Sequence, residues 1–288
     1  MNILLCNGRL TGLTGGEMYN LELGSALKTL NHTVTLAGEE TNDFFKNLCL
    51  EKHLLYDNLK NINNIDYYDY IIISNKEAVS KILNISRLLK YKGKLINICH
   101  SEIIEPWDDP LLIDNVCKYV AIRPPVKDRL IKKFKIDENK IQMIRNPIDL
   151  TRFNTQGTSN EKFGLFVGTM GGVRYKASIH FAQFCHVNNL KSVYISDENQ
   201  QIPFFNVSLP SCKDIEKYFK SCSISGGVIH GRTYFEARLC GKPTVEYFID
   251  NTGSITNIDY EDAPNENELI SLRNQFDRVE VAKRIISL

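Results

Sequence analysis

The chain has 288 residues, room for roughly two domains at about 150 residues each, and a 43% hydrophobic content that supplies two ordinary cores. Lys and Arg total 35 against 34 Asp and Glu, a formal charge of +1, so neither a polyanion-binding tail nor an acidic solvating tail is present in the totals. This composition excludes a disordered chain. No apolar run approaches the roughly 18 residues that span a bilayer, and the start, Met1 to Cys6, is too short for a signal peptide, so the sequence predicts a cytoplasmic protein.

The stretch from Asn2 to Cys6 reads as a buried strand that ends in a loop carrying Gly8, Gly12, Gly15 and Gly16. From Glu17 onward Tyr19, Leu23, Ala26, Leu27 and Leu30 form one face of an amphipathic helix, closed by Asn31 and His32. Thr33 to Ala37 is a β-branched strand, which completes a βαβ unit and predicts a parallel sheet. Strands at Tyr70 to Ile73, Lys94 to Cys99 and Lys118 to Ile122 follow, with a helical segment over 78–89 between the first two. A short strand near Ile141 to Ile144 precedes the polar stretch Thr155 to Asn160, and the domain boundary falls there: 1–155 and 156–288.

The pattern then restarts. Phe163 to Val167 is a strand closed by Gly168, followed by a glycine loop and a helix with Ala177, Phe181, Phe184 and Cys185 on one face. Then come Ser192 to Ile195 as a strand, a helix with Ile215, Tyr218, Phe219 and Cys222 inward, a strand at Val228 and Ile229, and a helix from Thr233 to Cys240. Gly241 suits the C′ position of that helix, with Pro243 beyond and a strand over Thr244 to Phe248. Glu266 to Leu288 reads as one terminal helix, with the option of packing back on the first domain. The fold class is therefore α/β, two Rossmann-like doubly wound domains facing a cleft.

Three constellations carry chemistry. Thr11 to Glu17 places Gly15 and Gly16 at a helix N-terminus, where free N–H groups and the dipole favour an anion; a tight strand-to-helix turn is the plainer reading. Gly168 to Lys176 again joins strand to helix, and its two cations, Arg174 and Lys176, suit a diphosphate, although each alone reads as a solvated charge. Gly226 to Pro243 puts Glu236 into an otherwise apolar helix, where a carboxylate has to face a polar cleft. Neither loop is a G-x-G-x-x-G fingerprint, which disfavours a nicotinamide-dependent dehydrogenase. The eight cysteines are scattered singly and the six histidines lie far apart, so reduced thiols and no metal are expected.

The third constellation resembles the sugar-nucleotide segment of GT-B glycosyltransferases, especially the retaining, metal-independent enzymes of family 4. Gly15, Gly16 and Glu17 with His32 to Thr35, Ile141 to Asp149 with Phe153, and Phe166 to Gly168 with Lys176 match further family motifs in order. The resemblance implies transfer of a sugar from a nucleoside diphosphate sugar to an acceptor, without a cofactor. It implies that Arg174 and Lys176 neutralise the leaving diphosphate, that Glu236 binds the donor ribose, that Gly15, Gly16 and Gly168 let donor groups approach the backbone, and that His100 acts in the cleft. The sequence departs from the pattern at Val228, where the first of two paired glutamates is expected, at Thr169 in place of an arginine and at Ala177 in place of a glycine. Arg232 and Thr233, at the start of the Glu236 helix, are alternative phosphate contacts.

On the acceptor side the candidates are Glu17, Trp107 and Arg123. The basic helix over 126–135 offers a peripheral membrane contact at the inner face or a nucleic-acid contact, against the plainer reading of a solvated face. The expected function is a transferase in surface glycan or lipid-linked saccharide synthesis, with the nucleotide sugar and a glycan or lipid-linked acceptor as partners. The alternatives are a transferase acting on hydroxymethylated bases in DNA, and a catalytically silent protein of this fold that binds a nucleotide or glycan.

Overall fold

A computed structural model describes the chain except for residues 75–78, 80–81, 102–108, 169–173, 197–203 and 251. Two compact units form: Met1–Pro147 together with Phe276–Leu288, and Ile148–Gln275. The dividing point precedes the polar stretch read as the boundary, because residues 148–155 already belong to the second unit's packing. Arg152 pairs with Glu216 at 2.7 Å and Phe153 lies against Phe219, ring centroids 6.1 Å apart.

The first unit is built on seven parallel strands: β1 (Asn2–Leu10), β2 (Thr33–Thr41), β3 (Leu55–Asn58), β4 (Tyr70–Ile73), β5 (Lys94–Cys99), β6 (Val116–Ala121) and β7 (Ile141–Met143). Their order is β3-β2-β1-β4-β5-β6-β7, so the sheet winds outward in both directions from a switch point between β1 and β4. The central runs are apolar throughout because helices cover both faces of such a sheet, and Ile3, Leu4, Ile71, Ile72, Leu95 and Ile96 are fully buried. Strand β1 is longer than its apolar run suggests: Gly8, read as loop, lies inside it, since Asn7 to Leu10 keep pairing with Gly38 to Thr41.

The second unit has a six-stranded sheet: β8 (Phe163–Val167), β9 (Lys191–Ser196), β10 (Val207–Pro210), β11 (Ile224–Val228), β12 (Thr244–Ile249) and β13 (Ile255–Glu261). The order β10-β9-β8-β11-β12-β13 is parallel except for the antiparallel edge pair β12 and β13, and its switch point lies between β8 and β11. The Arg232–Leu239 helix ends in a Schellman motif: Gly241, at φ +74°, donates to Arg238 O and Lys242 N donates to Ala237 O.

Close backbone packing explains the two consecutive glycines of β11. A Cβ at Gly226 would stand 2.4 Å from the buried Phe181 ring, and one at Gly227 would stand 2.1 Å from Glu246 Oε1. Gly226→Ala is expected to overpack the core and destabilise the protein by about 2–3 kcal/mol. A shift in urea midpoint without a change in slope would register it, and Phe181→Leu in the same chain should recover part of the loss.

The terminal segment is two helices, Glu266–Phe276 and Arg278–Ile286, where a single one was expected. Asp277 separates them as an N-cap whose carboxylate accepts from Val279 N and Glu280 N. The second of these helices packs on the Gly15–Thr29 helix within the first unit. Arg278 pairs there with the fully buried Glu22 at 3.0 Å, and Tyr70 donates to Ile286 O at 2.8 Å.

Candidate functional site

In a doubly wound sheet the carboxyl ends of the strands beside the switch point leave a crevice, and ligands bind there. In the first unit the Gly15–Thr29 helix starts at that edge, directly after β1. Glu17 does not face outward. Its Oε1 accepts from Thr11 N at 2.6 Å and Gly12 N at 2.9 Å, and its Oε2 accepts from Thr14 N at 3.0 Å and Thr14 Oγ1 at 2.7 Å. With four donors on a side chain that is 1% exposed, Glu17 shapes the glycine loop. Among the described residues a Cβ at Gly15 would meet nothing within 4 Å, and one at Gly16 would meet Asn7 Nδ2 at 3.8 Å, so no described side chain closes over this backbone. A buried polar layer lies behind it: Asn20 donates to Gly16 O at 2.9 Å and Ser74 donates to Asn20 Oδ1 at 3.2 Å.

His100 follows β5 on the same edge. Its ring meets Tyr19 edge-on, centroids 4.8 Å apart, and among the described residues neither His100 Nε2 nor the Tyr19 hydroxyl has a hydrogen-bond partner. Burial, and then the charge of Arg123, lower the His100 pKa to about 4, so the ring is neutral at physiological pH. A folded-state pKa below the unfolded value means the unfolded chain binds the extra proton. The contribution of His100 to stability is complete above about pH 6.5 and is lost as pH falls toward 4. His100→Gln should flatten the stability curve in that window, measured as the urea midpoint at pH 7, 5.5 and 4.5. Arg123 is the extended N-cap of the Pro124–Lys132 helix, and Trp107 lies outside the described residues.

In the second unit Gly168 closes β8 with φ +153°, a conformation that suits glycine, and among the described residues nothing lies within 4 Å of a Cβ built there. Its carbonyl accepts from the Tyr194 hydroxyl at 2.5 Å. Arg174 is the N-cap of the Tyr175–Val187 helix and Lys176 is exposed in its first turn. Thr169 lies outside the described residues. Two cations at the positive end of a helix oppose its dipole, an arrangement that an anion between them turns into an attractive one. Asp250 sits below the usual carboxylate range, first through the Thr252 hydroxyl and backbone N–H groups of its turn, and also through the charge of Lys176.

The other side of this switch point is the turn from β11 into the Arg232–Leu239 helix. Arg232 Nε donates to Glu236 Oε1 at 2.6 Å, and both side chains are more than nine-tenths buried. Arg232 is thereby committed in part to the carboxylate, and the pair holds Glu236 in the first turns of the helix; Thr233 is half-buried beside it. Ile229 and His230 both take left-handed backbone, at φ +54° and +46°. Sequence reasoning missed the group that holds them there: Glu246 of β12, 1% exposed, accepts from His230 N at 2.9 Å. The signal was a carboxylate inside an apolar strand.

Among the described residues one group with metal-ligand chemistry comes together, His230, Asp259 and Glu261, with ligand atoms within 4.8 Å of one another. Glu261 Oε2 also accepts from the Tyr234 hydroxyl at 2.7 Å and lies 3.5 Å from Arg238, so this carboxylate serves a hydrogen-bonded network at the sheet edge. The basic helix of the first unit is largely neutralised by its neighbours. Lys127 pairs with Glu138, Lys132 with Asp128, and Arg129 and Lys133 with Asp109. No helix among the described residues is long and apolar enough to cross a membrane.

No protein-family model matches the chain, and no curated protein matches it. Solved structures do match it over the whole length. A glycosyltransferase from Rickettsia africae ESF-5 superposes with a TM-score of 0.66 at 14% identity, covering 99% of this chain and 97% of that one. HepE from Anabaena, solved with UDP and glucose, gives 0.68 at 13% identity, covering 100% and 98%. An alpha-glucosyltransferase in complex with UDP and a 13-mer DNA containing an HMU base gives 0.60 at 11%, covering 98% and 94%. At these identities the likeness establishes the fold.

Proposed function

We propose that this chain, whose fold is that of the GT-B glycosyltransferases, is itself a glycosyltransferase that uses a nucleoside diphosphate sugar. The observation that carries the reading is the pair Arg174 and Lys176 at the N-terminus of the helix after β8, beside the switch point of the second sheet. Positive charge fixed where a leaving diphosphate develops negative charge lowers the barrier to departure. In the reaction the bond between the anomeric carbon and the diphosphate oxygen breaks, a bond from that carbon to an acceptor oxygen forms, and the proton of the acceptor hydroxyl passes to the departing diphosphate. The reading gives Gly168, Arg174, Lys176 and Glu236 to the donor and the carboxyl edge of the first sheet, with Gly15, Gly16 and the neutral His100, to the sugar and acceptor. Complexes of similar structures with UDP support a uridine donor.

Retention at the anomeric carbon, a surface glycan or lipid-linked saccharide as acceptor, and a cytoplasmic setting complete the proposal. A second reading, with DNA as the acceptor, is supported by the likeness to the alpha-glucosyltransferase bound to DNA. Calorimetric titration with UDP, GDP, ADP and CMP, without metal, tests the donor assignment. UDP should bind selectively and lose most of its affinity in Lys176→Ala; absence of binding by all four nucleotides would overturn it. With cations of the chain itself on the leaving group, an excess of chelator should leave turnover unchanged, and restoration of lost turnover by added divalent metal would sink the metal-free mechanism.

A further inference from the structure

Strands β12 and β13 pair antiparallel, with Glu246 opposite Asp259 and Thr244 opposite Glu261. Opposite residues share a face of the sheet, and so do residues two apart, so Glu246, Asp259 and Glu261 all stand on one side. The two glycines of β11 identify that side. A Cβ at Gly227 would meet Glu246, whereas one at Gly226 would meet Phe181 of the Tyr175–Val187 helix. The three carboxylates therefore lie on the face away from the helix that carries Lys176. His230 joins them from the left-handed turn after β11, where its backbone N–H donates to Glu246.

The His230 ring is held from two directions, stacked on Tyr234 with centroids 4.3 Å apart and edge-on to Phe248 at 5.2 Å. Its Nε2 stands 3.7 Å from Glu261 Oε1, and one ligand atom from each of His230, Asp259 and Glu261 lies within 4.8 Å of the others. Ligand atoms around a tetrahedral zinc stand about 3.4 Å apart, so the imidazole and Glu261 need almost no adjustment and Asp259 closes by a small side-chain rotation. The other oxygen of Glu261 is occupied elsewhere: Oε2 accepts from the Tyr234 hydroxyl at 2.7 Å and lies 3.5 Å from Arg238, which also pairs with Glu268 at 3.2 Å. Outer partners that hold one carboxylate oxygen aim the other, as they do for metal ligands. Among the described residues the Asp259 carboxylate makes no hydrogen bond or ion pair, so Arg238 does not offset its charge. The side chains of His230 and Glu261 are 34% and 31% exposed, which leaves an ion a way in.

We propose that His230, Asp259 and Glu261 form a binding site for a divalent transition-metal ion. One imidazole and two carboxylates select zinc over magnesium or calcium, with water completing the shell. The ion ties the edge strand β13 to the turn that leads into the Arg232–Leu239 helix, so its effect is on stability. It lies on the opposite face of the sheet from Lys176 and takes no part in the departure of a diphosphate. The site stands independently of the transferase reading.

The test is calorimetric titration of the full chain, stripped of metal by a chelator, with zinc chloride and separately with magnesium chloride. Zinc should bind at one site and magnesium far more weakly. His230→Asn, whose new side chain tolerates left-handed backbone, and Asp259→Asn should each abolish that site. Tyr234→Phe, which removes the hydrogen bond to Glu261 Oε2, should weaken it by about tenfold. Zinc should also raise the urea midpoint of the wild type and leave that of His230→Asn unchanged. The urea transition of each variant without metal shows whether it has folded, and if one has not, the other decides. Absence of zinc binding by the wild type overturns the site. So does zinc binding of equal affinity in His230→Asn and Asp259→Asn, which would place the ion on the cysteines or other histidines. Magnesium binding as tight as zinc overturns the imidazole as a ligand.

Discussion

Lys176→Ala should lower turnover of the nucleotide sugar by about 100- to 1,000-fold, a loss of roughly 3–4 kcal/mol of transition-state stabilisation. The reason is where Lys176 sits. It occupies the first turn of the Tyr175–Val187 helix one strand from the Arg232–Leu239 helix, at the switch point where the crevice of a doubly wound sheet opens. A lysine there opposes the helix dipole, an arrangement that an incoming anion turns into an attractive one. The leaving diphosphate gains charge as the glycosidic bond breaks, so the loss should fall on kcat more than on KM. Glu236→Ala should act differently. Glu236 forms a buried ion pair with Arg232 and is assigned to the donor, so its removal takes away a donor contact and loosens the start of its helix, and it should raise KM for the donor. Steady-state kinetics on the two variants separates these outcomes, and unchanged kcat in Lys176→Ala would remove this residue from the leaving-group site.

Arg278→Ala should destabilise the protein by about 3–5 kcal/mol, because it takes an ion-pair partner from a carboxylate that has no access to water. Glu22 is 0% exposed in the middle of the Gly15–Thr29 helix, and Arg278 reaches it at 3.0 Å from 256 residues further along the chain. The pair ties the returning terminal helix to the helix that starts the first unit. Replacing both residues, as Glu22→Gln with Arg278→Met, should recover much of the loss by removing the buried charge together with its partner. Equilibrium unfolding in urea reads both variants, and a single variant as stable as wild type would show the pair to be dispensable.

How far each feature was legible follows from the range of the interaction behind it. The alternation of strands and helices was readable because burial between two layers of helices writes continuous apolar runs, as in Tyr70 to Ile73 and Phe163 to Val167, where strand limits and apolar limits coincide. Strands β3, β10 and β13 left no such signature. They lie at sheet edges, where none of their residues is fully buried and pairing is decided by the neighbour. The Schellman end at Gly241 was readable because left-handed backbone selects its residue locally, and the break at Asp277 was not, since a helical pattern continues on both sides of it.

For the site, consecutive residues already put each group at the end of its own strand: the glycine loop of Gly15 and Gly16 and the lone His100 in the first unit, the cations Arg174 and Lys176 and the carboxylate Glu236 in the second. Strand-to-helix turns are local, so their chemistry is printed in consecutive residues. What those groups do to one another came from the packed fold. It turned Glu17 inward onto the loop it shapes, joined Arg232 to Glu236, and set Glu246 under the strained turn at Ile229 and His230. Those relations join residues through hydrogen bonds and strand register, which depend on three-dimensional proximity, and a linear pattern does not encode them.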